Sequence, residues 1–155
     1  MYTIIDLIDK LIAIEKSACQ LYMKMAGNLE LEEKVRILSK VFSNQENRHI
    51  KIYEDLRERA SAYNDIEVDF SIYDKAAKLV YEFSRLHTRK NINDVKELLE
   101  FSLIFEKENL ALLLSIRGLF VKSQQDLDTR NYQILSEIIE EEQKHVKDIE
   151  MILKK

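Results

Sequence analysis

Apolar residues recur along most of the chain with the three-and-four spacing of amphipathic helices. Ile4, Ile8, Leu11, Ile12, Ala18, Cys19, Tyr22 and Met25 form one stripe, with Glu15 set in its middle. A first helix is therefore expected up to Gly27-Asn28, where a left-handed cap is easy. A second is expected from about Glu30 to Arg59. Its acidic first turn (Glu30, Glu32, Glu33) suits the helix dipole. The inner stripe of this helix reads Val35, Leu38, Phe42, Glu46, His49, Ile50, Tyr53 and Leu56. Residues 61–92 break the pattern: Ser61 to Ser71 reads as loop, and Ile72, Ala76, Leu79, Val80 and Phe83 as a short amphipathic helix. A third long helix is expected from an N-cap at about Asn93 to beyond Gly118. The fourth spans about Asp128 to Leu153, with Ile134, Leu135, Ile138, Glu142, His145, Val146, Ile149 and Ile152 inward.

The two halves repeat each other. Glu15 lies 12 positions before Gly27, and Glu106 lies 12 before Gly118. Ile14-Glu15-Lys16 matches Phe105-Glu106-Lys107 at an offset of 91, and Glu46 with His49 matches Glu142 with His145 at an offset of 96. The extra five positions fall between Gly118 and the fourth helix, where a longer turn absorbs them. Two helical hairpins joined by a long crossover describe an all-α four-helix bundle with one long connection, in a single domain spanning residues 1–155.

Composition narrows the function classes. Proline is absent, glycine occurs only at 27 and 118, and 34% of the 155 residues are charged; sheets with tight turns use more of both turn residues. A net charge of −4, with both signs interspersed, argues against nucleic acid or an anionic membrane as partner. The longest apolar run, Leu110 to Leu114, is far short of the ~20 residues that span a bilayer. Acidic residues arrive too early at the N-terminus for a signal-peptide core, and Cys19 is the sole cysteine, which fits a reducing compartment. The expected location is the cytoplasm.

Six charged or titratable residues interrupt the apolar stripes. Glu46-Asn47-Arg48-His49 and Glu142-Gln143-Lys144-His145 are both Glu-x-x-His, a spacing that projects a carboxylate and an imidazole from one helix face. Glu15 and Glu106 add one carboxylate from each remaining helix. That set is the inward constellation of di-iron and di-manganese carboxylate bundles, as general knowledge of such bundles describes it. Four carboxylates in a core cost several kcal/mol per ion or are forced to protonate; two divalent cations cancel their charge. Oxygen and imidazole ligands suit iron or manganese, so two iron ions are the expected cofactor, with manganese or another divalent metal able to take the same ligands. Glu108 rivals Glu106 on periodicity, since Phe101, Ile104, Phe105 and Leu112 flank it, but the glycine spacing and the Ile14/Phe105 match favour Glu106. Glu140 and Glu141 lie off the Glu142 face. Tyr22 and Tyr53 each follow a proposed ligand by seven residues and are candidates to hydrogen-bond the cluster, with core packing the commoner role for a buried tyrosine. His87 sits on the crossover, facing solvent or capping its helix.

At these residues the chain resembles the ferritin-like superfamily, and within it the rubrerythrins. Ile14-Glu15-Lys16 with Tyr22 is similar to the first-helix pattern of that family. Leu99-Glu100-Phe101-Ser102 leading into Phe105-Glu106-Lys107 is similar to its third-helix pattern, and the two Glu-x-x-His motifs to its remaining ligand motifs. The resemblance implies a non-haem di-iron protein that reduces hydrogen peroxide or oxidises ferrous iron. The partners it implies are peroxide or dioxygen, an external electron donor, and a second copy in a homodimer. Asn109 stands where rubrerythrins often carry a further carboxylate, and one cysteine excludes their four-cysteine rubredoxin domain. An iron-handling ferroxidase or store, and a metal-free interaction module, are the alternatives.

Overall fold

A computed structural model describes residues 1–63, 67–86 and 91–154 of the chain. Five α-helices follow in order: α1 (Ile4–Ala26), α2 (Glu33–Ser61), α3 (Phe70–Leu86), α4 (Val95–Leu119) and α5 (Arg130–Lys154), with a 3₁₀ turn (Gln124–Asp128) before α5. No strand occurs among the described residues; an isolated bridge pairs Thr3 with Glu67. The molecule is a helical bundle. α1 packs along α2 and α4 along α5, while α3 lies against α1 and α4.

The apolar stripes account for this packing. Every α1 position assigned to the inner stripe is buried, and so are Phe42, Ile50, Tyr53 and Leu56 on α2. Each fully buried aliphatic or aromatic side chain contributes about 1.5–3 kcal/mol relative to its exposed state. Leu38 and Ile134 are only half-buried. Ile152 departs from expectation: it is 36% exposed, because the last turn of α5 leaves the packed length of the bundle. α3 closes the crossover with Ala76, Val80 and Phe83, the last edge-on to Phe105 with ring centroids 5.5 Å apart.

Helix ends show where local chemistry overrides periodicity. Gly27 caps α1 in the right-handed region (φ −90°), not the left-handed one, and no described residue has positive φ. Asn28 instead turns the chain: its Oδ1 accepts the Glu30 N–H (3.0 Å), and its carbonyl accepts the Leu31 N–H (3.1 Å). That turn uses up Glu30, so α2 begins at Glu33 rather than near Glu30. It also runs to Ser61, two residues past Arg59. α3 is longer than its stripe, beginning at Phe70 inside the expected loop. The cap of α4 is Asp94, whose Oδ1 accepts the Glu97 N–H (2.8 Å), while Glu97 reaches back to the Asn93 N–H (2.8 Å). Asn93 itself lies one position outside. Residues 120–129 hold the longer turn that the repeat requires. There Asp126 accepts the N–H groups of Lys122 and Ser123 (2.7 and 2.8 Å) and Thr129 Oγ1 accepts that of Tyr132 (3.3 Å), which delays α5 to Arg130. His87 lies outside the described residues. Among the described residues, no helix is long and apolar enough to cross a membrane.

Candidate metal centre

Glu15 from α1, Glu46 and His49 from α2, Glu106 from α4, and Glu142 and His145 from α5 meet in one buried space. All four carboxylates are fully buried, and the imidazoles are nearly so. The Glu-x-x-His spacing works as helix geometry requires: each pair points from one face, and the two rings meet edge to face with centroids 4.6 Å apart. Ligand atoms fall into three groups, each within 4.8 Å: Glu15, His49 and Glu142; Glu106, Glu142 and His145; Glu46, His49 and His145. Glu142 belongs to two groups, and Glu46 stands with both histidines. His49 Nδ1 lies 3.4 Å from Glu142 Oε1, and His145 Nδ1 lies 3.4 Å from Glu106 Oε2 and 3.8 Å from Glu46 Oε1.

Buried polar atoms normally find a partner. Here most of those without one, among the described residues, belong to these six side chains: both oxygens of Glu46 and Glu106, one each of Glu15 and Glu142, and Nδ1 of both histidines. Electrostatics carry the same message. Burial, and then the charge of neighbouring carboxylates, holds Glu15, Glu46 and Glu106 well above the ordinary carboxylate range. Burial also pushes Glu142 up, but hydrogen bonding to His49 and to its neighbours outweighs it and holds that carboxyl low. Burial pushes His145 down, which keeps its imidazole neutral and its lone pair available. A cluster of convergent lone pairs without donors is what cations satisfy, so the buried Glu/His groups can hold a metal ion.

Compared with protein-family models, curated proteins and solved structures, the chain matches none of them.

The surrounding side chains sort the candidates. Tyr53 Oη donates to Glu142 Oε1 (2.6 Å) and lies 3.3 Å from Glu15 Oε1. Tyr22 does not reach the ligands: its hydroxyl pairs with Ser102 Oγ (2.8 Å), and its ring packs against Phe42. Glu106 sits in the cluster, whereas Glu108 is on the exposed face of α4. Glu140 is exposed, and Glu141 pairs with Lys144 at 3.3 Å. Cys19 is buried, its Sγ 3.5 Å from the Ser43 carbonyl, and takes no part.

Two contacts were not foreseen from the sequence. Asn109 Nδ2 donates to Glu15 Oε1 (3.2 Å), and Gln45 Oε1 lies 3.0 Å from His145 Nε2. A ligand lone pair at His145 Nδ1 requires the hydrogen on Nε2, and Gln45 Oε1 accepts it there. Asn109 had a legible signal, since it lies one turn beyond Glu106 on the same face. Gln45 had none: it adjoins Glu46 but lies off the ligand face and outside the repeat.

Proposed function

We propose that the chain is a non-haem di-iron oxidoreductase that reduces hydrogen peroxide with electrons from an external donor. The observation that carries this reading is the set of unpartnered carboxylate and imidazole atoms converging in one buried space. Glu142 belongs to two of the ligand groups and Glu46 stands with both histidines, so these residues would hold a pair of cations together with Glu15 and Glu106. Oxygen and imidazole donors without thiolate suit iron or manganese, and six protein side chains leave positions open on a pair of such ions. The formal charge of four carboxylates equals that of two divalent cations.

Two ferrous ions, if held there, would supply the two electrons needed to convert one peroxide and two protons into two waters. The chain's own groups set the conditions. Burial holds the Tyr53 phenol protonated, well above its ordinary range, so it remains a hydrogen-bond donor to Glu142 Oε1. Gln45 fixes the tautomer of His145, and Asn109 orients Glu15. The packed stripes of α1, α2, α4 and α5 keep bulk water from the carboxylates. With Cys19 as the only cysteine, the chain carries no four-cysteine iron site to return electrons.

Anaerobic titration of ferrous-loaded protein with peroxide tests this. Oxidation should end at about one peroxide per cluster, with the near-ultraviolet absorption of ferric iron, and resume only after added reductant. Absence of reaction with peroxide, or oxidation and retention of ferrous iron far beyond two atoms per chain, would overturn the proposal.

A further inference from the structure

The internal repeat duplicates the ligands but not the side chains that hold them. Asn109, three residues after Glu106, corresponds to Ala18, three after Glu15. Tyr53, seven after Glu46, corresponds to Ile149, and Gln45 corresponds to Glu141. The hydrogen bonds around the cluster therefore differ between its two halves: the Glu15 side is held through its carboxylates, the Glu106 side only through the His145 ring. Glu15 Oε1 is held by the Asn109 amide at 3.2 Å, with Tyr53 Oη at 3.3 Å. Glu142 Oε1 is held by Tyr53 at 2.6 Å. Neither oxygen of Glu106 or Glu46 receives a hydrogen bond from a described tyrosine or amide side chain; their neighbours are the other carboxyls and His145. The remaining neighbour of Glu106, His145 Nδ1 at 3.4 Å, presents a lone pair once Nε2–H is committed to Gln45.

We infer that the two metal positions are inequivalent. Glu142 belongs to both; the position of Glu15 and His49 is the tighter one, and that of Glu106 and His145 is the looser, because Glu15 is pinned and Glu106 is not. This rests on the metal-centre reading above. A carboxylate pinned through one oxygen loses little freedom when its other oxygen, the unpartnered Glu15 Oε2, takes a cation. Glu106 has neither oxygen pinned by a tyrosine or amide, so it loses more freedom on binding, yet it can shift between one- and two-oxygen contact as a ligand enters or leaves. Asn109 is thus a positioning residue for the first cation and Gln45 for the second.

Anaerobic titration with Co²⁺, followed by calorimetry and by the visible absorption of the bound ion, reads the two steps separately. The wild-type chain should bind in two resolved steps. Asn109→Leu should weaken the tighter step by about 10–100-fold and leave the weaker one nearly unchanged; Gln45→Leu should weaken the looser step by a similar factor. Asn109→Ala replaces the leucine variant if circular dichroism shows that the latter does not fold. Two equal steps in the wild-type chain, or Asn109 variants that weaken the looser step or neither, overturn the inequivalence while leaving the metal centre standing. No Co²⁺ uptake at all overturns both.

Discussion

Glu106→Gln should change stability with opposite sign in the metal-free and metal-loaded protein. Glu106 is fully buried, no described tyrosine or amide side chain reaches its oxygens, and burial followed by the Glu142 charge raises its pKa. A carboxyl with an ordinary pKa near 4.3 that stays protonated at pH 7 costs about 1.36 kcal/mol for each pH unit between, a ceiling of about 4 kcal/mol. Glutamine has nearly the same shape, has no charge to lose, and avoids that cost. The metal-free variant should then melt above the metal-free wild type, by about 2–4 °C for each kcal/mol recovered in a chain of this size. Loading reverses the order. A cation at more than a thousandfold excess over its dissociation constant stabilises the native state by about 4.1 kcal/mol or more per site, and a variant that loses the site at Glu106 forfeits all of it, more than the ceiling on its metal-free gain.

Calorimetric melts at pH 7, in chelator and in excess Mn²⁺, read both signs on the same samples. Glu108→Gln, on the exposed face of the same helix, is the control and should follow the wild type in both conditions. A metal-free Glu106→Gln protein that melts below the metal-free wild type would refute the claim that this carboxylate is held in the core at a cost. Wild-type melts unmoved by metal would refute the site.

The double substitution His49→Ala with His145→Ala should abolish measurable metal content by elemental analysis after purification, since each ligand group contains at least one of these imidazoles. The metal-free protein should lose stability as pH rises above about 4.5, because Glu15, Glu46 and Glu106 all have raised folded pKa values. Their contribution is complete below the unfolded pKa and is lost on the way up to the folded one. Glu142, held low, opposes this as a single group. In metal the slope should reverse, since binding displaces protons from the ligands; denaturant titrations at pH 5 and pH 7.5 in chelator and in Mn²⁺ check both slopes.

Helix interiors were legible because a period of 3.6 residues leaves a strong mark over two dozen positions. The α1 stripe from Ile4 to Met25 is buried throughout. Helix ends were less legible, since a single side-chain hydrogen bond decides each. Asn28 turning onto Glu30 moves the start of α2, and Asp94 rather than Asn93 caps α4. The six candidate ligands stood out because charge within an apolar stripe has a high energetic cost and needs a reason. Their convergence depended on four helices meeting, which no local pattern encodes; the repeat supplied that information indirectly by placing equivalent residues at equivalent depths.

The contacts around the ligands were only partly legible: Tyr53 was a candidate from its spacing and does bond the cluster, but Tyr22 was an equal candidate and does not. A ligand's position is constrained twice, by the helix face it occupies and by the cation it must reach, so both halves of the chain carry the same residues there. A supporting residue is constrained only by what lies opposite it. Tyr53 on α2 meets Glu15 on α1 and Glu142 on α5, so its contacts depend on how the two hairpins dock, not on its own helix. Ile149, its counterpart on α5, is buried in the apolar core and has no polar group to offer. Tyr22 makes the same point in reverse: its spacing from Glu15 equals that of Tyr53 from Glu46, yet its hydroxyl is taken by Ser102 across the α1–α4 contact. Equal spacing along a helix thus gives equal direction but not equal partners. The one-sided support of Glu15 over Glu106 follows from that difference, and it is there that this site can treat two chemically identical cations unequally.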